Sequence, residues 1–369
     1  QGWEDSWFVS LFAGQAFAAG LLPDPQLALT RDVPTNGGPG KPSAFSAGLS
    51  YDVNALLTRS ARSAAASASA RQVNLELLWQ EWQVIGRARL LFVRNVEQQR
   101  LLVILRQTHD LFEARYRHVK AALAEGNATL DAAAADLAAL QDAGLQINDL
   151  ARQTRRNRIE LNRLLGLAPD AELQLMGDAA LPPLDPTKIK ASLAQLAHRR
   201  PDLLALEAGY RSQEERFRTA VLAQFPALSV GLTRARDTSN LYTQGIGITL
   251  SLPIFNGNRG NIAIERATRR QLHDEFQLRL NDAAAEVYAL LGDQALLGEQ
   301  LAGVKTALAT LGQASASAAA ALEAGNMSEL AYAGVRSSLL AKRVEAVTLE
   351  QRMLEQRVAI LTLAGSKIK

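Results

Sequence analysis

The placement of proline constrains this chain more than any other feature. Prolines stand at 23, 25, 34, 39, 42, 169, 182, 183, 186, 201, 226 and 253, with none between 43 and 168 and none after 253. A proline inside a helix removes a hydrogen bond and clashes with the preceding turn. Two long proline-free tracts are therefore open to continuous helix. The second tract shows the kind of helix. Phe276, Leu280, Ala283, Val287, Leu290, Gln294, Leu297, Leu301, Val304, Leu308 and Leu311 recur at spacings of four and three. That is a heptad seam with one polar interruption. Leu340, Val344, Val347, Gln351, Leu354, Val358 and Leu361 form a second seam beyond GNMS at 325–328. The first of these helices is read from about 258 to 323, roughly 100 Å at about 1.5 Å per residue.

A shift of 199 residues registers the two halves (126 to 325, 166 to 365). Gly126-Asn127-Ala128-Thr129 falls on Gly325-Asn326-Met327-Ser328, and Gly166 falls on Gly365. Ala47, Leu49, Tyr51 and Val53 fall on Ile246, Ile248, Leu250 and Leu252, and Asn95 falls on Gln294. The first-half seam is less regular, with Glu81, Gln98 and His109 at matching positions. One offset that serves strand, turn and helix end marks an internal repeat. Each half reads strand, strand, long helix, tight turn, helix.

The boundaries are an N-terminal segment 1–24, a strand pair 25–54, a helical hairpin 55–165 and a linker 166–200. A helix 201–225, a strand pair 226–254, a second hairpin 255–365 and a tail 366–369 complete the chain. The strands are placed at 25–33, 45–54, 226–236 and 244–254. Ile246, Ile248, Leu250, Leu252 and Ile254 alternate with Gly247, Thr249, Ser251 and Pro253, so the last strand has one aliphatic and one small polar face. In the turns, Gly126 and Gly325 suit the left-handed position that stops a helix. Thr129 and Ser328 suit the N-cap of the next. The plain reading is a good αα-hairpin turn, used twice.

Four strands cannot close a filled barrel, which needs about eight, and an unclosed sheet keeps free edges. Strand lengths near 10 fit a tilted membrane-spanning strand of roughly 9–11 residues. A soluble sheet packed on one side is the alternative for any single strand. Four such strands in two pairs, each feeding a long rod, favour a barrel shared among several chains.

Composition narrows the rest. There is no cysteine, which excludes a thiolate zinc site, a catalytic thiol and a disulfide. A formal net charge of +3 with no basic arm gives no support for nucleic-acid binding. No run reaches the roughly 18 apolar residues of a spanning helix. QGWEDSW lacks a basic-then-apolar signal, so any targeting peptide is expected to have been removed or never to have existed. His109, His118, His198 and His273 have no metal spacing among themselves. No phosphate loop or nucleophile elbow is present. An enzyme is not expected, nor any cofactor or metal.

The segments HRRPDLLALEAGYRSQEERFRTAVLAQFPALSV (198–230) and LSLPIFNGNRG (250–260), with GLAPDAELQL (166–175) and EVYALLGDQ (286–294), carry a resemblance. The chain resembles the TolC-like outer-membrane factors, most closely the branch that works with resistance-nodulation-division pumps. The resemblance implies a homotrimer in the bacterial outer membrane. Twelve strands would form one lipid-facing barrel and twelve helices a periplasmic coiled-coil tunnel. It implies two partners, a periplasmic adaptor and an inner-membrane pump, and small-molecule cargo, with drug, metal and solvent efflux left open. By position, Gly126, Asn127, Thr129, Gly325, Asn326 and Ser328 are the adaptor-docking tips. Phe225, Pro226 and Pro253 mark the barrel–tunnel junction. Family members often carry acids six and nine residues after the second glycine. Here those positions are Ala331 and Gly334, and the nearest acids, Asp131, Asp136 and Glu329, are the candidate entrance gate. Both a lumen-facing ring and a solvated outer face are open for them. The RRPD segment reads as a helix start, with Pro201 in the first turn and Asp202 on its positive end. The alternatives are a type I secretion duct and, from a different class, a soluble coiled-coil scaffold or periplasmic adaptor.

Overall fold

The computed structural model describes residues 2–35, 40, 42–175, 177, 179 and 181–365. The tail at 366–369 lies outside the described residues. In chain order the elements are α1 (Gly2–Gly20), β1 (Gln26–Asp32), β2 (Ala44–Asp52), α2 (Val53–Ala124), α3 (Leu130–Leu164), α4 (Pro186–Leu193) and α5 (Leu196–Arg199). α6 (Pro201–Leu222), β3 (Ala227–Arg236), β4 (Tyr242–Ser251), α7 (Arg259–Glu323) and α8 (Glu329–Leu363) follow. The 199-residue shift carries α3 onto α8 from end to end, and the last residue of α2 onto the last of α7. It also carries α1 onto the body of α6. Each repeat thus begins with a helix before its strand pair, an element that the low-periodicity sequence of 1–24 conceals.

The chain divides into two compact units. One holds residues up to Trp79 and Ala197–Asn281, and the other holds Gln80–Leu196 and the chain from Asp282. Each unit takes part of both repeats.

In the first unit the four strands form one antiparallel sheet in the order β1-β2-β3-β4. Directly paired residues share a face, and the register lines up Leu27, Leu49, Leu232 and Ile246 in one row across all four strands. Val230 pairs with Ile248 and Leu228 with Leu250 on the same side. The other side carries Ala28, Gly48, Thr233 and Gly245 in a row. The aliphatic side is uncovered, with Leu27 66%, Leu49 48%, Leu232 59% and Ile246 76% exposed.

The strand ends differ from expectation. β4 starts at Tyr242 and stops at Ser251, so Leu252, Pro253 and Ile254 are not strand residues. Pro253 has no N–H for the ladder. The chain turns there, with Ile254 N donating to Leu252 O (2.9 Å) and Gly257 N to Pro253 O (3.0 Å). Asn258 takes a positive φ of 53° and its Nδ2 donates to Ala220 O (2.8 Å), tying the turn to α6. Leu252 and Ile254 stay exposed in this turn. In the first repeat the strand passes straight into helix, with Asp52 Oδ1 accepting from Ala55 N (3.2 Å).

α6 begins at Pro201, and Phe225 and Pro226 lie between its end and β3. Asp202 does more than face the helix dipole. Arg200 donates to both its oxygens (3.0 and 2.7 Å), and the guanidinium lies 4.7 Å from the Trp79 ring. Both charges are buried, so the bidentate geometry is needed to offset their desolvation.

In the second unit the heptad seams are filled. Val287 and Leu291 of α7 pack on Ile360 and Ala364 of the second hairpin's return, with Ile189 of α4 against them. Leu301 and Val304 pack on Ala346 and Leu349. Val93 of α2 packs on Val358 of α8. The buried Asn95 donates to Leu91 O (2.8 Å), so this polar seam residue is satisfied within its own helix.

Candidate functional site

The tip and candidate gate residues that the sequence singles out lie at the turn end of the second unit. Two turns with one geometry build it. Gly126 N donates to Leu123 O (3.1 Å) and Asn127 N to Ala122 O (2.8 Å). Gly325 N donates to Leu322 O (3.0 Å) and Asn326 N to Ala321 O (2.8 Å). These are Schellman stops, which need a left-handed residue, and the glycines supply φ of 77° and 72°. Thr129 Oγ1 then accepts from Ala132 N (3.3 Å) and Ser328 Oγ from Ala331 N (3.2 Å), starting α3 and α8. Asn127 and Asn326 occupy the exposed crowns.

The three candidate gate acids fall into different environments. Asp136 is 4% exposed and accepts a hydrogen bond from Arg115 Nη2 (2.5 Å). Arg115 in turn lies over the Phe112 ring at 5.8 Å. Asp136 is thus half of an ion pair that ties α3 to α2. Glu329 is exposed, and its Oε2 lies 3.2 Å from His118 Nε2, joining the first hairpin to the start of α8. Asp131 is exposed in the first turn of α3, where the helix dipole favours an acid. The structure brings together His118, Arg115, Leu322, Leu330 and Tyr332 around a cavity of about 260 Å³ beside Glu329. The sequence reading missed Arg115 and His118. The signal for Arg115 was its opposite charge to Asp136 at a comparable distance on the other side of the hairpin turn.

Further along the hairpins, ion pairs bind α2 to α8. Arg94 donates to both oxygens of Glu355 (3.0 and 2.9 Å), and this hydrogen bonding raises the guanidinium pKa. Arg100 bridges Glu97 (2.7 Å) and Glu350 (3.1 Å), and Lys305 of α7 reaches Glu350 (3.2 Å). Burial pushes the Glu97 carboxyl up, against the pull of Arg100. His109, Asp110 and Glu113 place one ligand atom each within 4.8 Å of one another on α2. That spacing of one and four escapes a comparison of histidines with histidines, and Glu113 also faces Arg117 (3.6 Å).

No described helix is long and apolar enough to cross a membrane. The exposed aliphatic surface is instead on the sheet. A sheet of four strands with one greasy face and paired helical hairpins has counterparts among solved structures. It matches the outer-membrane channel OprN over 98% of this chain and 86% of that one, with a TM-score of 0.80 and 15% identity. It matches the open-state MtrE outer-membrane channel of Neisseria gonorrhoeae over 99% and 86%, with a TM-score of 0.78 and 15% identity. VceC, an outer membrane protein of Vibrio cholerae, matches over 99% and 93%, with a TM-score of 0.77 and 14% identity. No curated protein matches the sequence.

The profile of the outer membrane efflux protein family matches residues 193–366, which run from the end of α4 through α5 and the second repeat. Over those residues the chain is similar to the outer membrane efflux protein family, and over nearly its whole length it shares the fold of the three structures above. The family is one of channels and not of enzymes.

Proposed function

We propose that three copies of this chain form the exit duct of a tripartite efflux system. Four strands from each copy close a twelve-stranded barrel, and four long helices from each line a twelve-helix periplasmic tunnel. The observation that carries this reading is the sheet. It presents an unbroken aliphatic row from Leu27 to Ile246 on one face and small residues on the other, and β1 and β4 are its two outer strands. A membrane has no water to satisfy open strand edges, so closure with further copies is the stable solution. Ile246, Ile248 and Leu250 then face lipid, with Leu252 and Ile254 at the lower rim in the turn that follows.

The duct conducts passively and the energy comes from an inner-membrane pump of the resistance-nodulation-division type. A periplasmic adaptor docks at the crowns around Gly126, Asn127, Gly325 and Asn326. Docking favours an open entrance by binding it better than the closed one. OprN, VceC and MtrE are outer-membrane proteins of the same fold, which supports the reading. Of the gate acids, Asp131 and Glu329 are exposed, so they are the ones able to set a field at the entrance. Single-channel recording tests this. Asp131→Ala and Glu329→Ala are expected to lower cation selectivity, and unchanged selectivity in both would remove these residues from the gate.

A further inference from the structure

The aliphatic side of the sheet changes character toward one end. Directly paired residues share a face, and so do residues two apart on a strand. Above the row Leu27, Leu49, Leu232 and Ile246, the next row on that side is Leu29, Ala47, Arg234 and Gln244. The row above that is Arg31, Phe45, Arg236 and Tyr242. It lies at the strand ends joined by the 33–43 and 237–241 connections, whereas α2 and α7 follow the opposite ends of β2 and β4.

This end is basic and uncompensated. Arg31, Arg234 and Arg236 have no charged partner among the described residues. Asp32 falls on the other side of the sheet, opposite Ala44. Asp237 Oδ1 is taken up by the turn, accepting from Ser239 N (2.8 Å) and Leu241 N (2.9 Å). The 33–43 connection contains no acid. Arg31 Nη2 donates to Ser43 Oγ (3.4 Å) and Arg236 Nη2 to Ser43 O (3.1 Å), so two like charges converge on one residue. Arg236 also keeps a buried Nε with no acceptor. Like charges held this close repel, and an anion with several oxygens relieves the repulsion. The guanidinium fork matches the paired oxygens of a phosphate.

The same row holds two aromatic residues, Phe45 and Tyr242, 47% and 61% exposed. Such rings suit the boundary between hydrocarbon and headgroups. Height agrees. Tyr242 and Leu250 lie near opposite ends of β4, roughly 27 Å apart at about 3.4 Å per residue. A strand tilt of about 40° makes this roughly 21 Å of height, against an apolar band of about 25 Å in membrane barrels. Leu252 and Ile254, exposed in the turn beneath, supply the remainder. The arginines thus stand where the apolar band ends, and their long stems let the charges reach the headgroups.

We infer that Arg31, Arg234 and Arg236, with Phe45 and Tyr242, form a binding site for the phosphate-bearing headgroup of a membrane lipid. This rests on the lipid-facing reading of the sheet proposed above and adds the lipid chemistry that its rim selects. In that reading α2 and α7 are periplasmic, so the row meets the outer leaflet and the ligand is a phosphorylated, acylated glycolipid. Its acyl chains lie along the aliphatic rows and its phosphates on the guanidiniums.

Native mass spectrometry of the purified full chain in detergent tests it. The probes are bisphosphorylated lipid A, the same glycolipid stripped of phosphate, and inorganic phosphate. The bisphosphorylated form is expected to bind about tenfold more tightly than the stripped form, the worth of one hydrogen bond to a charged group. Arg31→Gln, Arg234→Gln and Arg236→Gln together are expected to remove that preference and to keep the binding of the stripped form. Arg234→Gln alone breaks no hydrogen bond among the described residues and is expected to lower the preference, so the test stands even where the triple variant fails to fold. Arg155→Gln with Arg163→Gln, on α3, is expected to leave it unchanged. Equal binding of the two glycolipids, or a preference that Arg234→Gln leaves intact, overturns the site and leaves the lipid-facing sheet standing. Inorganic phosphate that displaces the glycolipid at equal concentration overturns the lipid assignment. A protein that binds neither glycolipid and stays dissolved and monomeric without detergent overturns the site and the membrane reading together.

Discussion

The two hairpin turns share a backbone and differ in chemistry. Gly126 and Gly325 have φ within a few degrees of each other, the Schellman bonds agree to about 0.1 Å, and Thr129 and Ser328 cap alike. The acids do not repeat. Asp136 of the first hairpin corresponds to Val335 of the second, Asp131 to Leu330, and Glu329 to Leu130. The first hairpin is locked internally by a buried ion pair, and the second presents its one first-turn acid to the first. Duplication therefore fixed the turn, which backbone sterics dictate, and left the side chains around it to diverge.

The largest expected break in the comparison comes from the ion pair. Asp136→Ala leaves Arg115 buried beside Phe112 without its partner, and the expected loss is about 3 kcal/mol, the low end for a buried pair because Arg115 keeps some solvent. Val335→Ala, its counterpart, is expected to cost about 1 kcal/mol. Chemical unfolding followed by the helical signal compares them, and equal losses would deny the asymmetry.

The glycines should behave alike instead. A Cβ at Gly126 or Gly325 meets nothing within 4 Å, so the cost of alanine is the left-handed backbone alone. Roughly 1–2 kcal/mol is expected at each, and a large difference between the two would show that the turns are not equivalent. Thr129→Ala and Ser328→Ala are expected to cost about 1 kcal/mol apiece, read as matched shifts in the unfolding midpoint.

A smaller effect depends on pH. The folded-state pKa of Glu97 is raised, first by burial. Its contribution to stability is thus present below the ordinary glutamate range and lost as pH rises through the raised value. Glu97→Gln is expected to flatten that part of the stability profile and to gain slightly at neutral pH. A steeper profile in the variant would reverse the assignment. Smallest of all is His118→Ala. The His118–Glu329 pair is 66% and 63% exposed, and such contacts contribute roughly 0–1 kcal/mol.

Much of this fold was legible in the sequence because it is written in backbone-level signals. The seam from Phe276 to Leu311 has no exposed member, and the helix read from about 258 begins at Arg259 and ends at Glu323. The alternation at 246–250 fixed the face of β4. Its end was misjudged because Leu252 and Ile254 continue the period of two while Pro253 has already left the ladder. α1 was hidden because its apolar residues lack one-sided periodicity, and α4 because eight residues are too few to show any. The acids proposed for the gate were picked out by position alone, and their environments were not legible. Asp136 needed a partner 21 positions away, and Glu329 one on another hairpin. The linear sequence spaces charges but does not say which of them meet.

The most direct measurement of the central claim is conductance across a planar bilayer containing the purified protein. The proposed duct predicts discrete single-channel steps, small at rest because the entrance is closed and larger once the adaptor is added. A silent bilayer at every protein load, with the protein dissolved and monomeric without detergent, would contradict it.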